Sequence, residues 1–208
     1  MERLDAEWVF GYGSLMWNPE FAHTEHQRAK LYGYHRAFCI HSTTYRGSTE
    51  RPGVVLGLDR GGCVQGIAFR LEPASRTAAI DALYRREMLT PTVYTPRRVG
   101  VRLHDGRVVQ ALTFVANRAS ASYCRLPDDE LLRRLLVAEG LRGPNIEYAV
   151  NTYAELERHG VHDAHLARVM RGLHRLAPHL RHDRATTALP QDVRPAGEPS
   201  PNRRTPPG

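Results

Sequence analysis

Six short apolar segments rich in β-branched residues, at 8–10, 36–40, 54–58, 64–70, 98–103 and 107–115, precede most of the helical signals, and that order restricts the fold most. Two of the gaps read as hairpin turns. Asp59-Arg60-Gly61-Gly62 joins the third and fourth segments, and His104-Asp105-Gly106 joins the last two, where an Asp-Gly pair suits positive φ. Apolar periodicity predicts helices over about 74–88, 128–139, 145–159 and 162–176. Asp128 reads as a cap, Gly140 as a stop, Pro144 as a start signal and Gly160 as the residue after a helix end. Strands linked by hairpins, with helices mostly after them, predict an α+β domain around a largely antiparallel sheet or small barrel. From about Pro178 the chain turns rich in proline and charge and nearly free of large apolar residues, so it cannot bury enough surface to order itself. The expected organisation is a single domain over 1–177 and a disordered tail over 178–208.

No apolar run approaches the roughly 20 residues that span a bilayer, and residues 1–7 are acidic rather than basic-then-apolar. A cytoplasmic location without a membrane partner is therefore expected. Three cysteines, Cys39, Cys63 and Cys124, lack any Cys-x-x-Cys spacing and argue against a disulfide framework. The net charge of +7 invites a nucleic-acid reading, but Lys30 is the only lysine among 29 basic residues, and the arginines are scattered in ones and twos. With no aromatics interleaved as a stacking platform, no nucleic-acid partner is expected.

The run Phe10-Gly11-Tyr12-Gly13-Ser14-Leu15-Met16 places two glycines and a hydroxyl where the first strand ends. Gly11 and Gly13 permit backbone approaches that a Cβ would block, which frees N–H groups to face a ligand; the bland alternative is a tight turn. Neither of two phosphate-binding patterns fits, since Gly-x-Gly-x-x-Gly would need glycine at Met16 and no Gly-Lys-Ser/Thr follows.

A second signal lies in the first predicted helix. Its apolar stripe runs through Ile80, Leu83 and Tyr84, and the next positions on that stripe are Glu87 and Met88. Asp81 and Arg85, four apart, can pair in solvent on another face. Glu87 sits where a leucine is expected, and a carboxyl facing a core has a raised pKa, which suits a general base. The alternatives are that the helix has ended near Glu87, or that Glu87 pairs with an arginine such as Arg36 or Arg70. Because the helix stops into Thr90-Pro91, Glu87 falls in its last turn, at the rim of a cavity rather than sealed inside.

Two rival chemistries have candidate residues. His23-x-x-His26 and His159, His162 and His165 suggest metal ligands, but three-residue steps drift around a helix and Gly160 interrupts the second group, so no metal is expected. Cys39 shares a strand face with His35 and His41, yet residues two and four apart are spread along it, and a small core residue is the better reading.

Four segments in order, Tyr12-Gly13-Ser14-Leu15-Met16-Trp17-Asn18-Pro19, Gly33-Tyr34-His35-Arg36-Ala37-Phe38-Cys39, Arg51-Pro52-Gly53-Val54-Val55-Leu56-Gly57-Leu58 and Arg86-Glu87-Met88, resemble the ChaC family of glutathione-specific γ-glutamylcyclotransferases over about residues 8–175. The resemblance implies a small mixed barrel flanked by helices. It also implies a γ-glutamyl site lined by Val9, Phe10, Gly11, Tyr12, Gly13, Ser14 and Leu15, with Glu87 as the catalytic base. Tyr94, and Asn145 with Tyr148, fall near a family tyrosine and a family Asn-x-x-Tyr. The implied reaction releases 5-oxoproline and cysteinylglycine from glutathione and needs no cofactor. The residues themselves leave two alternatives open: other γ-glutamyl amino acids or amines as substrates, and a non-catalytic module binding a small anion or RNA, in which Glu87 has no role.

Overall fold

The computed structural model describes residues 3–16, 18–88 and 93–178. The predicted tail, apart from its first residue Pro178, and the Thr90-Pro91 stop lie outside them. Five strands close a barrel in the order β1-β3-β2-β4-β5. They are β1 (Trp8–Gly11), β2 (His23–Ser42), β3 (Gly53–Leu71), β4 (Tyr94–Leu103) and β5 (Val108–Ala116). Every neighbouring pair is antiparallel except β1 with β5, whose parallel pairing of Trp8 with Ala111 closes the barrel and makes it mixed. Helix α1 (Arg76–Glu87) lies between β3 and β4, and α2 (Asp128–Val137), α3 (Asn145–Arg158) and α4 (Ala164–Leu176) follow β5. A two-residue ribbon, β6 (Glu139–Gly140) with β7 (Gly143–Pro144), links α2 to α3. The α+β barrel with flanking helices is thus what the sequence predicted.

Alternation along the strands sorts the core. Trp8 and Phe10 of β1 join Leu31 of β2, Leu58 and Val64 of β3, Val101 of β4 and Ala111 of β5 in one cluster, which is the barrel interior. Val9, between them, faces the other way and packs with Leu83 and Tyr84 of α1 and with Leu112 and Phe114 of β5. A third cluster seats α2, α3 and α4 against Phe38 of β2 and Val54 and Leu56 of β3. Among the described residues no helix is long and apolar enough to cross a membrane.

The principal correction concerns β2 and β3. Asp59-Arg60-Gly61-Gly62 is not a hairpin turn; it lies within one 19-residue strand. Tyr32 pairs with Cys63 and Tyr34 with Arg60, so Gly61 and Gly62 form a bulge opposite Gly33, and all three glycines have positive φ. A Gly-Gly pair supplies positive φ equally well to a bulge and to a turn, which is why the sequence alone misplaced it. The connecting turn lies instead between Ser42 and Gly53, and residues 23–35, too polar to read as a strand, form the first part of β2. The 104–106 turn stands as predicted, with Gly106 at φ 94°.

Smaller differences follow from caps and charges. Helix α2 is preceded by Pro127 rather than capped by Asp128, and it ends at Val137 before Gly140. Asp81 pairs with Arg3, not with Arg85.

Candidate active site

The open cavity that gathers the sequence candidates is lined by Tyr12, Gly13, Ser14, Leu15, Leu56, Glu87, Tyr94, Phe114 and Tyr148 and encloses about 420 Å³, mouth included. It is built by the loop after β1 together with β3, α1, β4, β5 and α3. The chain leaves β1 at Gly11 and enters a single 3₁₀ turn, Ser14–Met16, closed by the Met16 N–H donating to Gly13 O at 2.8 Å. Gly11 is needed for close approach: a Cβ there would stand 3.0 Å from the Leu15 Cβ. Gly13 is different, because its missing Cβ would meet no atom of the described residues within 4 Å, so its bareness leaves room in the cavity.

Val9, Phe10 and Gly11 do not line the cavity. They form β1, with Val9 and Phe10 fully buried in two different clusters, and their part is to carry the loop.

Glu87 ends α1, and its side chain is 17% exposed. Neither Arg36 nor Arg70 neutralises it: the first pairs with Asp163 and the second with Glu7 at 2.6 Å. Its nearest cation is Arg86, at 3.5 Å. Burial pushes the Glu87 carboxyl above the usual carboxylate range, Arg86 opposes the shift, and the negative charge of Glu20 adds to it. Arg86 also donates to Ser14 Oγ at 2.8 Å and to Asn18 O at 2.9 Å, and it pairs with Glu20 at 3.0 Å. One arginine next to the carboxylate therefore ties the loop to α1, and Ser14 keeps its own hydroxyl proton to donate.

Three tyrosines complete the walls, and each has a phenol shifted upward chiefly by burial, that of Tyr148 to about 12. All are neutral donors at physiological pH. Tyr94 donates to Leu56 O at 3.1 Å, while Tyr148 Oη accepts from Leu56 N at 3.2 Å and so retains its proton. Asn145, one helical turn before Tyr148, accepts from Val54 N at 2.7 Å and donates to Val54 O at 2.9 Å. Side chains three apart on α3 thus meet residues two apart on β3 and cover a strand edge that β1, paired only with residues 67–70, leaves open.

Asn145 acts behind the cavity wall rather than in it. Leu56 and Phe114 are the two lining residues that sequence reasoning missed, since an apolar residue on a strand carries no chemical signal.

The rival groupings do not assemble. Cys39 is buried at a register shift of β2, with its thiol pushed up to about 12, while His35 bonds Gly61 O and His41 meets Arg134. His23 and His26 pack edge-on against each other and beside Phe69, and His165 lies against Phe38. Among the described residues no three His, Cys, Asp or Glu side chains gather as a metal site.

Comparison with known proteins adds ancestry to this geometry. The ChaC-like protein family matches residues 7–176. This chain belongs to that family. It is 37% identical over 157 residues to the glutathione-specific gamma-glutamylcyclotransferase of Escherichia coli K12, covering 75% of this chain and 68% of that one. Identity to the human glutathione-specific gamma-glutamylcyclotransferase 1 is 30% over 180 residues, or 83% and 81% of the two chains. The crystal structure of a yeast gamma-glutamyl cyclotransferase specific to glutathione superposes with a TM-score of 0.75 at 20% identity, over 86% of this chain and all of the yeast one, so the ChaC-like chain shares its fold.

Proposed function

We propose that this ChaC-like protein is a γ-glutamylcyclotransferase whose substrate is glutathione, with Glu87 as its general base. The observation that carries the reading is a carboxyl with a raised pKa on the same cavity as the Tyr12–Leu15 loop. The names of its relatives supply the substrate class.

The substrate's own α-amine attacks its γ-carbonyl carbon, a five-membered ring closes, and the amide C–N bond breaks to give 5-oxoproline and cysteinylglycine. No external nucleophile is needed, so proximity supplies much of the rate once the γ-glutamyl arm is held folded. Three tasks fall to the protein. The loop N–H groups and the Ser14 hydroxyl bind the α-carboxylate and the carbonyl oxygen. Glu87 takes a proton from the substrate ammonium, for which a carboxylate shifted toward neutrality is better matched than an ordinary one. The protonated Glu87 then gives that proton to the departing amide nitrogen, and the second proton that the ring nitrogen sheds on becoming a lactam N–H passes to the same amine, which leaves as an ammonium, so two protons move and the reaction balances without water.

The test is quantification of 5-oxoproline after incubation with reduced glutathione and, separately, with γ-glutamylalanine. Release from glutathione alone is expected; equal release from both would make the chain a general γ-glutamyl enzyme, and release from neither would return it to the binding-module reading. The same assay has an expected pH dependence. The base must be ionised, so kcat/KM falls as pH drops through the Glu87 pKa, with a midpoint above the roughly 4.3 of a free glutamate. A midpoint at or below that value would remove Glu87 from the role.

A further inference from the structure

Among the described residues Arg36 is the only arginine buried to the level of the core, with 2% of its surface exposed. A guanidinium is removed from water at a penalty unless its donors are met, and replacing a buried ion pair by apolar groups often stabilises a protein. Stability alone therefore does not account for an arginine here, but its bonds do. Nε donates to Tyr12 O at 2.6 Å, Nη2 donates to Gln65 O of β3 at 2.7 Å, and Nη1 is ion-paired with Asp163. Asp163 is itself fixed, because its side chain caps α4 by accepting from Leu166 N at 3.0 Å. Arg36 thus joins the barrel, the last helix and the loop, and it does so from behind, since Tyr12 and Gly13 line the cavity and Arg36 does not.

The peptide that joins Tyr12 to Gly13 is planar and trans, so its C=O and N–H point in opposite directions. A cation gripping the carbonyl from the rear fixes the Gly13 N–H on the cavity side, and by polarising the peptide it strengthens that donor. Among the described residues no atom stands within 4 Å of where a Gly13 Cβ would be, so the cavity is open beside that peptide. We infer that Arg36, held by Asp163, is a positioning residue that aims the Gly13 N–H at the γ-carbonyl oxygen of the bound substrate, where negative charge develops as the amine attacks. The inference rests on the cyclotransferase reading and adds to it a device 24 residues away in the chain.

Arg36→Lys keeps the charge but replaces a rigid fork by one flexible ammonium, which cannot hold Tyr12 O, Gln65 O and Asp163 in three fixed directions. In folded Arg36→Lys, kcat for glutathione should fall by about tenfold to a hundredfold, the range expected when a donor is misplaced by about 1 Å, with KM and the acid-limb midpoint little changed. Asp163→Asn, which keeps the cap oxygen and removes the charge, should lower kcat in the same sense if the lysine variant does not fold. Independently of either, the Gly13 amide proton of Glu87→Gln protein should move downfield by NMR when glutathione is added. Wild-type kcat in the folded variants, a loss confined to KM, or an unmoved Gly13 amide in glutathione-saturated protein would overturn the inference. An amide that moves while the wild-type protein releases no 5-oxoproline would overturn the cyclotransferase reading instead.

Discussion

Glu87→Gln is expected to lower 5-oxoproline formation from glutathione by about 10²- to 10⁴-fold, the usual contribution of a positioned general base. Glutamine keeps the size of the side chain and its polar contacts, so the cavity and the 3.5 Å approach of Arg86 are retained in shape while the proton acceptor is lost. The stability consequence runs the other way. A carboxyl whose folded pKa is raised is protonated more readily in the native state than in the unfolded one. Native stability is therefore greatest below the unfolded pKa and falls as pH rises through the folded one. At neutral pH the ionised Glu87 is a net destabiliser, and the neutral amide relieves it. The variant should melt no lower than wild type at pH 7, and the difference between them should shrink toward pH 4. Turnover within a few-fold of wild type, in a protein with an unchanged circular dichroism spectrum, would end the assignment of Glu87 as base. A variant that melts well below wild type at neutral pH would mean that the carboxylate is structural.

The same contrast between chemical and conformational signals explains what could be read before the fold was known. Glu87 was legible because charge on an apolar helical stripe breaks a pattern, and the loop was legible because glycines at a strand end are a local backbone requirement. Tyr94 and Tyr148 came only through resemblance to a family, since each reaches the cavity by a long-range hydrogen bond to Leu56 that no local window contains. Arg36 offers itself in the sequence as a partner for Glu87, whereas its actual partner, Asp163, lies 127 residues away. The bulge at Gly61-Gly62 was read as a turn because local φ preferences cannot tell a strand that doubles back from one that carries an extra residue. The polar first half of β2 hid for a related reason: its side chains alternate between half-buried and exposed, so the strand is specified by pairing with β3 rather than by its own apolar content.

Gly66→Ala should have the largest effect on the fold, and it separates the barrel's closure from the chemistry of the loop. Gly66 lies on β3 opposite Ala29 of β2, next to the residue that pairs with Gly11. A Cβ there would fall 2.2 Å from Gly11 O and 2.8 Å from the Phe10 ring. The nearest atom is backbone, so no rotamer relieves the clash, and β1 itself must move. Because β1 is short and carries the barrel's parallel closure with β5, its displacement opens the interior cluster as well as shifting Tyr12, the first residue of the loop. A destabilisation of about 3 kcal/mol or more is expected, at or above the upper end of ordinary overpacking, read as a fall in the thermal midpoint together with lost activity. Gly13→Ala is the matched comparison, since its φ is not positive and its added methyl would meet no atom of the described residues within 4 Å. That variant should keep the wild-type melting temperature and lose activity, because the methyl occupies space in the cavity that the substrate needs. If Gly66→Ala melted with wild type, β1 would not be held where the barrel closes. If Gly13→Ala turned over glutathione normally, the γ-glutamyl group would have to bind elsewhere than against the loop.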